Sequence, residues 1–447
     1  MPDALAQLRA GFPVSELWVY FNHAAVSPVS SLVQSAVAEF LADGNRQGST
    51  GFQGWLARRD RARTRAAALI GAEPAEVAFT TSTSQGLLTV AEGLRLEPGD
   101  QIVVVEDDFP ANQIPWFRQR KRGVEIIVVP RREGRVTTGA LLGAITPRTR
   151  LLAVPWVLYD TGFRLDLPAL AAGLAAVNGE RTPWSDVTSA NSGEAPWPAG
   201  PTENAGLPSE SRSPANTTGA ARLSTASAQA GARGEASLRP DPHRRVLLCV
   251  DVIQGLGAFP LDVHSAGIDF LSADSHKWML GLEGIGILYC RRELTGILDS
   301  PFTSWWSLAE PFAKWTPQAP LHADARRFEY ACLPTACLYG LDAALGSLAE
   351  AGAERIGGRI LELTGRLAAG LAERGWTIRS PMGESTAARG ERSGILSASH
   401  PRLPAFDVVT ALEQRGVSVT PRGPGVRFSP HGWNTAEEVD RLLDRLP

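Results

Sequence analysis

Lysine is nearly absent from this chain. Of its 44 basic side chains only Lys121, Lys277 and Lys314 are lysines, and the other 41 are arginine. An arginine stays protonated and forms no imine at neutral pH. Any chemistry that needs a primary amine on a side chain therefore falls on three positions. Cysteine is scarce too. Cys249, Cys290, Cys332 and Cys337 include no Cys-x-x-Cys pair, so they read as small core residues in a reducing cytoplasm, with no metal site. Charge of one sign is also missing. With 44 basic against 47 acidic residues the net charge is −3, which implies no nucleic-acid or membrane-surface partner. No apolar run reaches membrane-spanning length, and the first nine residues lack a signal-peptide apolar core. A cytoplasmic location is expected.

What is present begins at an apolar run over 246–250 that ends in Asp251, with Gln254 three residues on. A second apolar run from Asp269 leads into Ser275-His276-Lys277-Trp278. A carboxylate at one strand end and a lysine at the next are what the electron-sink cofactor pyridoxal phosphate (PLP) requires. The amine attaches it and the acid keeps its ring nitrogen protonated. So rare a lysine, placed there, points to a chemical requirement.

Upstream, Tyr20 to Val29 forms a polar turn before a helix with apolar Val33, Val37, Phe40 and Leu41. Asn22 and His23 in this turn either line a site or cap the helix start. An arginine-rich helix is expected over 55–71, then a strand over 77–80 and the hydroxyl-rich turn Thr81-Ser82-Thr83-Ser84. The helix that follows from Leu87 would offer free amides and a positive dipole end to a phosphate. The same serines and threonines would also serve as ordinary caps. Strands at 102–105, 124–129 and 151–154 alternate with helices at 110–120, 141–145 and 168–177. The alternation predicts an α/β fold, a mainly parallel sheet covered by helices, with sites at the carboxyl ends of its strands.

The pattern stops over 178–243, where eight prolines occur with no isoleucine, phenylalanine, tyrosine, methionine or lysine. So polar a stretch is expected to be a disordered insertion. After Lys277 come a strand at 284–289, helices at 335–350 and 354–374, strands at 417–420 and 426–429, and a helix at 435–446. These predict a smaller C-terminal α+β domain. The expected organisation is an N-terminal segment over 1–20, a large domain over 21–295 interrupted by the insertion, and a small domain over 296–447.

These motifs together resemble the fold-type I PLP enzymes of the class V aminotransferase group, which includes cysteine desulfurases, selenocysteine lyases, kynureninases and isopenicillin-epimerase-like proteins. The resemblance rests on Asp251-x-x-Gln254, Ser275-His276-Lys277-Trp278 and Gly284-x-Gly286-x-Leu288-Tyr289. It implies that Lys277 carries the cofactor as a Schiff base, that Asp251 pairs with the ring nitrogen and that Gln254 reaches the ring hydroxyl. Thr83 and Ser84 would hold the phosphate, helped by His276. Phe109, in Asp108-Phe109-Pro110-Ala111-Asn112, would stack on the ring. Arg427 would bind the substrate carboxylate, with Arg422 as a second candidate. The group further implies a homodimer acting on an amino acid or related amine. The motifs leave transaminase, lyase, hydrolase and epimerase chemistry open, as well as a non-catalytic binding protein of the same fold. Two positions depart from the group's pattern: Asp274 stands where a phosphate-binding serine is common, and Cys332 stands in place of a glycine–threonine pair.

Overall fold

The computed structural model describes residues 3–179, 181, 244–330, 332–383 and 390–447. The expected disordered insertion lies outside the described residues over 182–243. A two-residue strand, β1 (Val19–Tyr20), comes first. Seven further strands form the central sheet: β2 (Val77–Thr80), β3 (Gln101–Val105), β4 (Glu125–Val129), β5 (Thr149–Pro155), β6 (Leu247–Asp251), β7 (Phe270–Asp274) and β8 (Gly286–Cys290). Their order is β2-β8-β7-β6-β5-β3-β4. Within it β4, β3, β5, β6 and β7 pair in parallel. β8 is antiparallel to both β7 and β2, so β8 alone runs against the rest. The carboxyl ends of β2, β3, β5, β6 and β7 thus share one side of the sheet.

Apolar residues fill both faces of the sheet. Val103, Val105, Leu152, Val154, Leu248 and Val250 belong to the core on one face. Their chain neighbours Ile102, Val104, Leu151, Ala153, Leu247 and Cys249 belong to the core on the other. A period of two with both sets apolar is the pattern of a sheet buried on both sides. One glycine is required by this packing. A β-carbon on Gly86, in the helix Thr83–Gly93, would run into the Ser272 side chain on β7.

The C-terminal part holds the helices Thr335–Ala351 and Ala353–Glu373. Its strands are β9 (Thr377–Ile378), β10 (Leu396–Ser399), β11 (Val417–Ser418), β12 (Thr420–Arg422) and β13 (Gly425–Phe428). Four of them make an antiparallel sheet in the order β12-β13-β10-β9. The expected α/β architecture with a smaller C-terminal α+β part is therefore the observed one. Three details differ. β1 pairs in parallel with β11, and Val19 and Phe21 join the C-terminal core; a two-residue strand is too short to show a period. β9, β10 and the helix Ala405–Glu413 were not expected either. The helix foreseen over 110–120 is instead a 3-10 turn, Pro110–Asn112, then Ile114–Arg118 and a second 3-10 turn. Pro110 and Pro115 lack the amides that a continuous helix would use. No helix among the described residues is long and apolar enough to cross a membrane.

β2 lies at the sheet's edge, and its outward backbone groups need partners. Buried Glu329 accepts from the Phe79 amide at 2.9 Å and from Arg63 Nη1 at 2.6 Å. Arg63 Nη1 also donates to the Val77 carbonyl at 2.7 Å. The ion pair is buried, with side-chain exposures of 5% and 1%. Glu329→Ala would strand a buried guanidinium and an edge amide. Removing one partner of such a pair costs about 3–5 kcal/mol. Denaturant unfolding should show a loss of that order, with a smaller loss for Glu329→Gln. A loss below about 1 kcal/mol for the alanine variant, the range of an exposed pair, would refute this role for Glu329.

Candidate active site

The shared strand ends open into a cavity of about 410 Å³, within the range of small-molecule sites. Each wall has a local cause. β2 ends at Thr80, and Ser82 caps the next helix by accepting from the Gln85 amide at 3.2 Å. Thr83 and Ser84 thus occupy the first helical turn, where backbone amides have no partner within the helix. Both line the cavity. Thr83 is tied in place by the Asp274 amide, which donates to its Oγ1 at 2.8 Å.

β6 carries Asp251 to the cavity floor. One of its oxygens accepts from the Ile253 amide at 3.0 Å, and no hydrogen-bond donor among the described residues engages the other. Burial raises its pKa, while the Ile253 amide and the Lys277 charge oppose the rise. Lys277 stands just past the end of β7 and is 8% exposed. Its pKa falls from 10.5 to about 8: burial is the largest cause, Arg427 adds repulsion, and Asp251 opposes both. The amine lies 5.6 Å from the centre of the Phe109 ring. Phe109 in turn meets Tyr159 edge-on, with ring centroids 5.4 Å apart.

Next to Lys277, His276 Nδ1 stands 3.0 Å from Asp274 Oδ1. Asp274, the acid at the serine position, thus faces an imidazole. Gln254 lines the cavity with both ends of its amide engaged. Its Nε2 donates to the Ala24 carbonyl at 3.1 Å, and its Oε1 accepts from Trp278 Nε1 at 3.2 Å. Arg427, on β13, is 1% exposed. Its Nη1 donates to the Tyr159 carbonyl at 2.9 Å, while Nε and Nη2 are buried without a hydrogen-bond partner. Two unmet donors of one guanidinium, in a cavity wall, are what a carboxylate needs.

The cavity therefore brings together Lys277, Asp251, Gln254, His276, Thr83, Ser84, Phe109 and Arg427. Asn22 and His23 stand outside its lining, which takes Ala24, Ala25 and Val26 instead. Asn22 bridges to Ser429 and accepts from Thr420. His23 is fully buried, with Nδ1 3.0 Å from the Ser429 carbonyl and rings of Trp278, His431 and Trp433 around it. Burial holds its pKa well below the usual value. Cys332 is exposed and lines no part of the cavity.

Sequence reasoning passed over Asp108, which also lines the cavity. Burial and the neighbouring Asp251 charge push its pKa up to about 7, against hydrogen bonds from Asn112 and the Phe109 amide. Its place beside Phe109, at the end of an apolar strand, was the available signal. The donor set fits PLP: an amine held partly neutral, an acid with an unengaged oxygen, an aromatic face and a helix start with free amides.

The sequence model of the family described as aminotransferase class-V matches residues 19–179 and 240–442. The stretch it leaves unmatched lies within the polar insertion. "Uncharacterized aminotransferase YcbU" of Bacillus subtilis is 25% identical over 98% of this chain and 96% of its own length. A "probable cysteine desulfurase" of Methanothermobacter thermautotrophicus is 25% identical over the same shares. "Isopenicillin N epimerase" of Streptomyces clavuligerus is 26% identical over 88% of this chain and 83% of its own. Among solved structures, a complex of the cystine C-S lyase C-DES with cysteine persulfide superposes with a TM-score of 0.76. It is 19% identical and covers 97% of this chain and 98% of that one. The apo cysteine desulfurase of Thermococcus onnurineus gives 0.74 at 21% identity, covering 98% and 96%. With the family model matching well over half its length, the chain belongs to the class-V aminotransferase family, a family of PLP enzymes.

Proposed function

We propose that this chain is a PLP-dependent enzyme acting at the amine-bearing carbon of an amino acid, with aminotransferase-like chemistry. The observation that carries the reading is one buried lysine amine, in a chain with three lysines, lining the same cavity as Asp251 and the unpaired donors of Arg427. Lys277 would hold the cofactor covalently. Asp251 would face the ring nitrogen and Phe109 the ring. Thr83, Ser84 and the helix start would take the phosphate, with His276 beside them. When bound, PLP supplies an electron sink for the pair left when a bond at that carbon breaks. The protein's part is positional and protonic. Arg427 binds the substrate carboxylate and so fixes which bond points at Lys277. Lys277, its pKa held near neutrality, takes the proton from the substrate carbon and returns it. The Ile253 amide, which donates to Asp251, favours its ionised form against the effect of burial.

A homodimer and a cytoplasmic setting complete the proposal. Val26, Val29 and Leu32 are 41%, 51% and 54% exposed, and Val26 lines the cavity. Exposed apolar side chains in the segment that borders the cavity are what a second copy would cover. All four cysteines are free thiols, as a reducing compartment keeps them.

The direct test reduces the purified protein with borohydride, then screens amino acids for conversion of the cofactor to its amine form. Lys277→Ala should lose the borohydride-fixed PLP while still sedimenting as a dimer. A covalent adduct retained by that variant would place the site elsewhere, and a monomer would refute the dimer.

Attachment of PLP to the stripped protein requires the neutral amine. Since the Lys277 pKa is lowered to about 8, the neutral form gains as pH rises through that value. The attachment rate should climb between about pH 6.5 and 9 and level off above. Arg427→Gln removes a charge that lowers this pKa, so the midpoint should move up. A rate flat over the range would contradict the assignment.

The cysteines bear on the reaction type. Cys249 and Cys290 are buried in strands, and burial pushes both thiols up, Cys290 to about 12. Cys337 is half-buried and none of the four lines the cavity. A persulfide route needs a nucleophilic thiolate brought to the substrate sulfur. Incubation with cysteine should therefore leave no protein-bound persulfide by mass spectrometry. Alanine without persulfide would move the reading to a lyase, and stoichiometric persulfide would overturn it.

A further inference from the structure

Arg427 is not the only guanidinium in the cavity wall. β12 and β13 form an antiparallel hairpin in which Thr420 faces Arg427 and Arg422 faces Gly425. Arg422 is therefore the diagonal neighbour of Arg427 on the same face, and such pairs have backbones about 7–8 Å apart. Both side chains line the cavity. Both charges also act on Lys277, Arg427 more than Arg422.

Neither arginine is spent on the fold's own acids. The Arg422 side chain makes no ion pair or hydrogen bond among the described residues, and its Nε is buried without a partner. The nearby carboxylate of Asp160 is taken by Arg131, at 2.8 and 2.9 Å. Of the cavity's acids, Asp108 is held by Asn112 and the Phe109 amide, Asp251 by the Ile253 amide, and Asp274 faces His276. Glu283 also lines the cavity but forms no ion pair with either arginine. Two like charges thus share one hairpin face with no acid of the protein between them. Burial and, after it, the repulsion from Arg422 lower the Arg427 pKa to about 9. A ligand with one negative group leaves one of the two unmatched. A ligand with two, spaced along a short carbon chain, satisfies both.

We propose that the substrate is a dicarboxylic α-amino acid, with its α-carboxylate on Arg427 and its side-chain carboxylate on Arg422. This deepens the PLP-enzyme reading and rests on it. Arg422 is then the residue that selects the side chain. A neutral amide of the same shape would leave a buried guanidinium donor without an anionic acceptor, the arrangement that gives the largest discrimination between near-isosteres.

The test titrates the PLP-loaded protein with aspartate against asparagine and glutamate against glutamine, following the cofactor's absorbance. At least one acid should bind about tenfold or more tightly than its amide, as loss of a charge-assisted hydrogen bond predicts. Arg422→Gln should bring that ratio close to one, and Arg422→Lys should restore part of it. Arg427→Gln should weaken acid and amide together. Each variant's cofactor spectrum before titration reports that the site is still formed. Amides that bind as well as their acids overturn the proposal and leave the enzyme reading standing. So does an Arg422→Gln variant that weakens acid and amide equally, because Arg422 would then hold the α-carboxylate. A cofactor that responds to none of the four overturns the dicarboxylic proposal alone, whereas a protein that takes up no PLP overturns both.

Discussion

The site depends on keeping a primary amine buried without fixing it as a permanent cation. Lys277 is nearly enclosed, and an enclosed ammonium is costly unless a negative charge compensates it. Asp251 supplies that charge from the adjacent strand, while Arg427 and Arg422 push the other way. Too strong an acid alone would lock the amine as an ion pair, useless as a nucleophile or base. Arginines alone would deprotonate it and leave the acid's role in the ring chemistry unfilled. The balance puts the amine's titration near neutral pH, where proton transfer in both directions is possible.

That balance is a property of the sheet. Parallel pairing of β6 with β7 sets Asp251 opposite Ser272, and Lys277 follows a short turn after β7. On the far side, β2 must deliver Thr83 and Ser84 to the same edge although its sheet neighbour β8 runs the other way. The Glu329–Arg63 pair closes the open side of β2, and the bare α-carbon of Gly86 lets the Thr83 helix lie directly on β7. Neither group touches the cavity, yet both decide where the helix start points. Acid–base chemistry at Lys277 and anion binding at the helix start are therefore positioned by one packed layer.

Asp251, Lys277, Thr83, Ser84 and Phe109 were legible because each sits at the end of an apolar run, and a strand end is a place in space as well as in sequence. The α/β alternation was legible for the same reason. Asn22 and His23 were not: they share the polar look of a site-lining turn, but β1 pairs with β11, Asn22 is engaged by Ser429 and Thr420, and His23 packs among Trp278, His431 and Trp433, outside the cavity lining. No local pattern announces a two-residue strand that pairs some four hundred residues away. Gln254 does line the cavity, but its engagement with Trp278 and Ala24 depends on side-chain packing that spacing does not encode. Asp108 escaped notice because its raised pKa arises first from burial and then from Asp251, far off in sequence, and neither shows in a local pattern.

The walls of the cavity divide by origin. The residues suited to a cofactor, Asp251, Thr83, Ser84, His276, Phe109 and Lys277, come from the central sheet and its loops. The two arginines suited to a substrate come from the β12–β13 hairpin alone. The hairpin is bound to the N-terminal strand through Asn22, Thr420 and Ser429, and to the central part through the Arg427–Tyr159 contact. The electron-sink half is thus fixed by a sheet buried on both faces, where a changed residue disturbs the core. The selecting half sits on a hairpin whose tip, Gly423 and Pro424, is exposed, and where a change of side chain leaves the sheet untouched. A difference of substrate within such a scaffold requires only a new residue on that face, so in this chain the proposed choice of substrate rests on the hairpin and not on the lysine.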